Sequence, residues 1–210
     1  MVLSYTPVYR LNAMKLSLLA CLCLVPLMSL AQEKTYDVAV SYGAYTSPSF
    51  KQHKAREYFA ADFDYHLAGR WTISSGFMTG RFDYFDDIRS NDPMSLFNPQ
   101  DGTNARGYQL YGYGMAKYSL IRTGGFTLQA GAGIGFFNQR LEYPYRVNNS
   151  TGGATYYAQS SFTDLALPVS LEAYYIISQR VGIGLKTGGY IEPDFPVVGL
   201  HIGPQLRIRL

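Results

Sequence analysis

The chain has 210 residues, 15% of them aromatic and only 16% charged, with 21 glycines and a formal charge of +3 at pH 7. Its length allows one domain, and its near-neutrality gives no basic stripe of the kind nucleic acid requires, so no nucleic-acid partner is expected. Cys21 and Cys23 are its only cysteines; both fall in a segment that reads as removable, leaving no disulfide, no thiolate metal site and no cysteine nucleophile.

Residues 14–31, MKLSLLACLCLVPLMSLA, read as a secretory signal: Met14 and Lys15 form a short basic start, Leu16 to Leu30 an apolar stretch, and Ser29-Leu30-Ala31 a small-x-small cleavage site. Met14 is the expected true start and Gln32 the first mature residue. An anchoring helix is disfavoured, because the stretch is shorter than the ~20 residues a span needs and contains Pro26. Leu18-Leu19-Ala20-Cys21 resembles a lipobox, but cleavage there leaves too short an apolar core for a signal whose apolar region usually runs ~7 to 15 residues. With Arg10 and Lys15 removed, sixteen of eighteen basic residues and all fifteen acidic ones remain, a formal charge of +1.

Residues 32–210 read as one all-β domain, an eight-stranded antiparallel up-and-down transmembrane β-barrel. The strands are expected near 35–46, 57–67, 70–82, 107–119, 125–142, 160–176, 181–191 and 198–210. The gaps alternate: long at 47–56, tight at Ala68-Gly69, very long at 83–106, short at 120–124, long at 143–159, short at 177–180 and moderate at 192–197. Short periplasmic turns and long external loops give that rhythm in outer-membrane barrels. An even strand count returns the C-terminus to the periplasmic side, so the first strand runs outward from Tyr36 and the last inward to Leu210.

The last strand shows the face pattern best. Val198, Leu200, Ile202, Leu206, Ile208 and Leu210 share one side, and His201, Gln205, Arg207 and Arg209 the other, because side chains alternate with period two. The same division puts Asp62, Asp64, Asp164, Glu172 and Lys186 inside, along with His66. The strand at 107–119 has two semi-apolar series; Lys117 is placed inside because a lipid-facing Lys near the midplane costs ~2 to 4 kcal/mol. Four acids and four bases (Lys117, Lys186, Arg207, Arg209) would then neutralise one another in a narrow lumen, since eight strands leave room only for side chains. Gly131, Gly133, Gly135, Gly182, Gly184 and Gly188 would make room for the long basic arms. Pro168 and Pro204 fall mid-strand and predict a bulge or a locally missing bond at each. Tyr36, Tyr65, Trp71, Tyr118, Phe126 and Tyr175 are placed as an outward aromatic girdle at the periplasmic rim. The opposite rim is also ring-rich, at Tyr58, Phe59, Phe82, Tyr84, Tyr108, Phe136, Phe137, Tyr156, Tyr157, Phe162 and Tyr190, with faces left open.

Signs of chemistry are few. His53, His66 and His201 have no metal-ligand spacing, and no residue is marked as a nucleophile, so no catalytic residue, metal or cofactor is expected. The acidic loop with Asp83, Asp86, Asp87, Asp92 and Asp101 lacks the spacing of an EF-hand and reads as solvated. Gly131 to Gly135 resembles a phosphate loop without the helix that would follow one, and Asn149-Ser150-Thr151 is a glycosylation sequon by pattern only.

The signal ending Ser-Leu-Ala-Gln, the alternating strands, the Tyr/Gly segment Tyr108-Gln109-Leu110-Tyr111-Gly112-Tyr113-Gly114 and the terminal strand Gly199 to Leu210 resemble the small outer-membrane barrels of the OmpA/OmpX type, the "outer membrane protein beta-barrel domain" or porin-family group. The resemblance spans residues 32–210 and is one of style, with Leu210 where that group usually ends in an aromatic. It implies a protein of the Gram-negative outer membrane, reached through the periplasm, with outer-membrane lipid, lipopolysaccharide and the barrel-assembly machinery as partners. The role implied is structural, adhesive or interactive through external loops rather than enzymatic. A narrow porin-like channel for small solutes is the alternative, and a lipid-modifying barrel enzyme a more distant one.

Overall fold

A computed structural model describes residues 35–50, 52–86, 89–90, 103–149, 152–192 and 197–210. The expected export signal, Asp87, Asp92 and Asp101 of the acidic loop, and Ser150-Thr151 of the sequon lie outside the described residues. The chain forms β1 (Thr35–Thr46), β2 (Lys54–His66), β3 (Trp71–Asp86), β4 (Arg89–Ser90), β5 (Thr103–Thr123), β6 (Phe126–Asn149), β7 (Gly152–Ile176), β8 (Val181–Ile191) and β9 (Gly199–Arg209). β4 is a two-residue segment running parallel to β6. The other eight are antiparallel neighbours in the order β1-β2-β3-β5-β6-β7-β8-β9, and β9 pairs with β1 to close the ring.

Period-two alternation decides which side of the ring each residue faces. Phe63, Ile73, Phe77, Leu110, Ile134, Leu165, Leu171, Leu185, Ile202 and Leu206 are all exposed on the outer wall, while Asp62, Asp64, Ser74, Met78, Tyr111, Lys117, Glu172, Lys186 and Arg207 are buried within. A water-soluble domain would have this inside out, and an apolar belt around the whole circumference far exceeds the patches that soluble monomers expose. The two series in β5 are resolved by burial: Gln109, Tyr111, Tyr113, Met115 and Lys117 point inward.

The two ends of the ring differ. At one end the connections are tight: Gly69 has φ +83°, and Gly124 (+51°) with Gly125 (+89°) closes a two-residue hairpin between Thr123 and Phe126, the left-handed backbone that such turns demand. That hairpin is tighter than the turn expected at 120–124, because β5 continues to Thr123. At the other end the strands outrun the expectation. β6 and β7 stay paired from Glu142↔Gln159 to Asn149↔Gly152, where a loop was expected at 143–159. These arms extend about 20 Å at ~3.3 Å per residue. Beyond the membrane the ladder bonds need no lipid-facing apolar row, so hydrophobic alternation is not required to mark them.

Each mid-strand proline opens one ladder and leaves the other intact. β6–β7 pairing stops at Ala132↔Val169 and resumes in the same register at Gly135↔Ala166, skipping Pro168; β1–β9 pairing stops at Ser41↔Gln205 and resumes at Ala44↔Ile202, skipping Pro204. Pro168 stays paired with Tyr190, and Pro204 with Leu185. Of the two expected outcomes, each proline therefore gives missing bonds without a bulge, because only the missing N–H is lost. The gap at the barrel seam is filled by close backbone contact: a Cβ on Gly203 would lie 2.2 Å from the Tyr42 carbonyl oxygen, and one on Gly43 would lie 2.3 Å from that of Ile202.

Candidate functional site

The lumen is the place where this sequence concentrates polar chemistry, and it is filled in two layers. Nearest the turns, Arg207 Nη1 lies 2.5 Å from Asp64 and 3.3 Å from Asp37, while its Nη2 lies 2.8 Å from Glu172. Lys117 Nζ is 3.0 Å from Asp64 and 2.7 Å from Glu172. Gln129 and Gln205 also donate to Glu172. Lys186 Nζ meets Asp62 at 2.5 Å, and the Tyr113 hydroxyl donates to the other oxygen of Asp62 at 2.7 Å. All of these charged side chains are essentially inaccessible to solvent. Isolated charges could not be held there, and pairing with added hydrogen bonds is the condition on which they are tolerated.

Toward the loops, the second layer is aromatic. Tyr111 stacks on Tyr190 with ring centroids 3.6 Å apart and on Phe137 at 5.6 Å. Tyr45 reaches across to donate to Gln109 and lies 3.0 Å from the Tyr111 hydroxyl, and Gln109 in turn donates to Gln139. Phe50, from the connection after β1, packs on Phe82 and Tyr84 at 5.0 and 4.7 Å. Ser47 and Ser49 in the same connection donate to the carbonyls of Val198 and Val197 at 2.5 and 2.6 Å. The loop mouth is therefore capped as well as filled.

Of the eight residues expected in the interior network, Asp62, Asp64, Lys117, Glu172, Lys186 and Arg207 converge as described. Arg209 is only half-buried and meets Asp37 at 3.4 Å. Asp164 differs from the expectation: it is exposed, and its carboxylate accepts the Leu165 N–H at 2.7 Å rather than joining the network. Its phase along β7 is inward, but it sits opposite Phe137, whose buried ring occupies the lumen at that height. Asp37 was missed. It is fully buried, and its carboxylate takes His66 at 2.8 Å in addition to Arg207 and Arg209. Its alternation with Ala39 and Ser41 was the available signal. The inward glycines serve close strand approach more than charged arms. A Cβ on Gly131 would press on Lys117 at 2.8 Å, but those on Gly133, Gly135, Gly184 and Gly188 would first meet backbone carbonyl oxygens of the adjoining strand, at 2.0–2.5 Å.

At the turn end, the six expected girdle rings are outward and form three directly opposed pairs, Tyr36↔Tyr65, Trp71↔Tyr118 and Phe126↔Tyr175. Trp71 meets Tyr118 edge-on at 4.9 Å. Among the rings at the loop end, Tyr58, Phe82, Tyr84, Phe137 and Tyr190 belong to the inner plug, whereas Phe59, Phe136, Tyr156, Tyr157 and Phe162 are exposed. Above the apolar belt, Arg56 pairs with Asp83 at 2.5 Å and Arg81 with Glu57 at 2.8 Å. Of the other histidines, His53 is exposed with Nδ1 2.9 Å from the Phe50 carbonyl, and His201 is buried against Tyr58. No group of side chains suited to a metal ion occurs among the described residues.

No family model and no curated protein matches the chain. Among solved structures it is similar to the attachment invasion locus protein Ail of Yersinia pestis in complex with the heparin analogue sucrose octasulfate, at 11% identity, covering 85% of this chain and 100% of that one with a TM-score of 0.53. The fold is that of a small outer-membrane β-barrel. Two others align less closely: Neisserial surface protein A, at 10% identity, 83% and 96% coverage and a TM-score of 0.48, and the N-terminal barrel of Pseudomonas aeruginosa OprF, at 10%, 85%, 98% and 0.44. In a barrel of this kind, the outer wall meets hydrocarbon and the inner network must be self-sufficient.

Proposed function

We propose that this chain is an integral outer-membrane protein whose closed barrel is a stopper-filled scaffold, holding external loops for a structural, adhesive or interaction role. The turn end faces the periplasm and the loop end faces outward, as short turns and long connections are arranged in such barrels. One observation carries the reading: the lumen holds an ion-paired layer and an aromatic layer in series. A conduit for solutes needs a continuous wet path, and Tyr45, Tyr111, Phe137 and Tyr190 occupy the section through which it would have to pass. The paired β6–β7 arms support presentation, because they carry a hydrogen-bonded hairpin beyond the wall and offer its edge to β4 of the long 87–102 connection.

The experiment is electrical and electrophoretic together. The purified chain in detergent should migrate faster unboiled than boiled, as a folded barrel does, and should then give no stepwise conductance in a planar bilayer. Regular current steps from the heat-shifting species would establish the narrow-channel alternative and overturn the scaffold reading.

A further inference from the structure

The charges at the two ends of the barrel are arranged differently. At the loop end, Arg56 and Arg81 each have a carboxylate partner, and Arg140 donates to the Gln159 amide oxygen. At the turn end an arginine stands at each short connection, Arg70 and Arg180 within two of them and Arg122 on β5 just before the Gly124-Gly125 hairpin, and none of the three connections carries a carboxylate. Arg70 reaches across to the Leu120 carbonyl at 3.5 Å, and Arg122 reaches back to the Gly69 carbonyl at 3.4 Å, so two guanidiniums cross between the same pair of turns. Neither has an ion-pair partner among the described residues. Beneath them lies a mouth cavity of about 390 Å³, lined also by His66, Thr72, Ser119 and Arg209.

Two exposed guanidiniums brought to the same pair of turns with only weak carbonyl contacts leave a positive charge that an anion would neutralise. We propose that this mouth is a binding site for a phosphate group, entering from the turn side and gripped by Arg70 and Arg122, with Arg209, which keeps its contact with Asp37, behind them. Guanidinium forks match phosphate oxygens bidentately, and the Ser119 hydroxyl adds a neutral donor, the Thr72 hydroxyl being engaged with His66 at 2.9 Å. The cavity has room for a phosphate group together with several waters. The girdle rings Trp71 and Phe126 also line it, so the phosphate could be that of an inner-leaflet lipid headgroup as readily as a soluble one. The binding chemistry is common to both. The side of the membrane from which it enters rests on the orientation proposed above; the site itself does not.

The test uses the full chain folded in a maltoside micelle, which contains no phosphate, at 150 mM NaCl so that diffuse attraction is screened. Inorganic phosphate is titrated in one arm and phosphatidylglycerol in the other, each read by isothermal calorimetry. Saturable binding that weakens at least tenfold in R70Q/R122Q, but less than twofold in R180Q, is the expected result. R180Q removes the same charge per residue from a turn that does not line the cavity. Saturation by the lipid alone assigns a headgroup, and saturation by inorganic phosphate assigns a soluble anion. Absence of saturation in both arms overturns the proposal, as does equal loss in R180Q. Retained heat-shifted mobility in every variant shows that the barrel has formed, which separates failure of this site from failure of the barrel reading.

Discussion

The two layers of the lumen fill the same cross-section by opposite means. The layer near the turns is built from charges that are tolerated only together: Arg207 answers Asp37, Asp64 and Glu172 at once, and Lys186 answers Asp62. The layer near the loops is built from rings that would pack well in any protein core, with Tyr45, Gln109, Tyr111 and Gln139 supplying one hydrogen-bonded chain through it. The difference is one of additivity. Apolar burial is lost in proportion to what is removed, whereas a buried charge is costly in proportion to what is left behind.

The largest effects expose that difference. Arg207→Met leaves three carboxylates without their shared partner and should cost about 3–5 kcal/mol, read as a lowered urea midpoint in micelles. Lys186→Met should be of the same order, because it strands Asp62. Adding Asp62→Leu to it should recover most of that loss, since a buried pair replaced by apolar groups is often neutral. In the aromatic layer, Phe137→Ala should also cost about 3–5 kcal/mol, but combining it with Tyr190→Ala should lower stability further. Recovery in the second double variant, or none in the first, would break the distinction between the layers.

A smaller effect is expected at the seam that both layers share. Gly203→Ala puts a methyl group where only about 2.2 Å separates it from the Tyr42 carbonyl oxygen, so β1 and β9 must part. A cost of ~1–3 kcal/mol, typical of overpacking, should appear as a lower temperature for loss of the heat-shifted band. A stability unchanged by this variant would mean that the seam opens elsewhere without cost.

How much of this was legible depends on where hydrocarbon imposes a pattern. β1 and β8 fall on the expected 35–46 and 181–191, because wall-facing apolar residues alternate along both and turn residues stop them. Beyond the belt neither face must be apolar, so β6 and β7 run on unannounced through Tyr143 and Gln159. Alternation gives the face and not the height. It placed Asp64 and Glu172 inside, while Lys117 needed the cost of a lipid-facing charge to decide its side, and it left the loop-end ring Phe137 undecided, although that ring plugs the lumen. The same limit led it to count Asp164 among the buried charges. Asp37 was overlooked although its phase was plain, and with it the partner of His66 and Arg209.

Tyr45→Phe separates the polar chain from the packing around it. The ring keeps its place between Gly80 and Gly199, where an added Cβ at either would sit 2.7 Å from a ring carbon, so only the hydroxyl is lost. Removing one neutral hydrogen bond costs about 1 kcal/mol, and more where a buried acceptor is left bare; Gln109 keeps a donor from Tyr111 at 2.9 Å, which holds the loss near the lower figure.

The smallest effect is expected at Asp164. Its carboxylate is exposed on the loop side of the plug and accepts the Leu165 N–H, so Asp164→Asn should shift the urea midpoint by less than ~0.5 kcal/mol, as surface substitutions do. The same isosteric change at Asp64 removes the charge facing Lys117 and Arg207 inside the lumen and should cost several times more. The ratio between the two variants measures how sharply the charged layer ends. Equal losses at both positions would mean that the ionic network continues past Phe137 to the loop end, and that the aromatic layer does not separate it from the solvent outside.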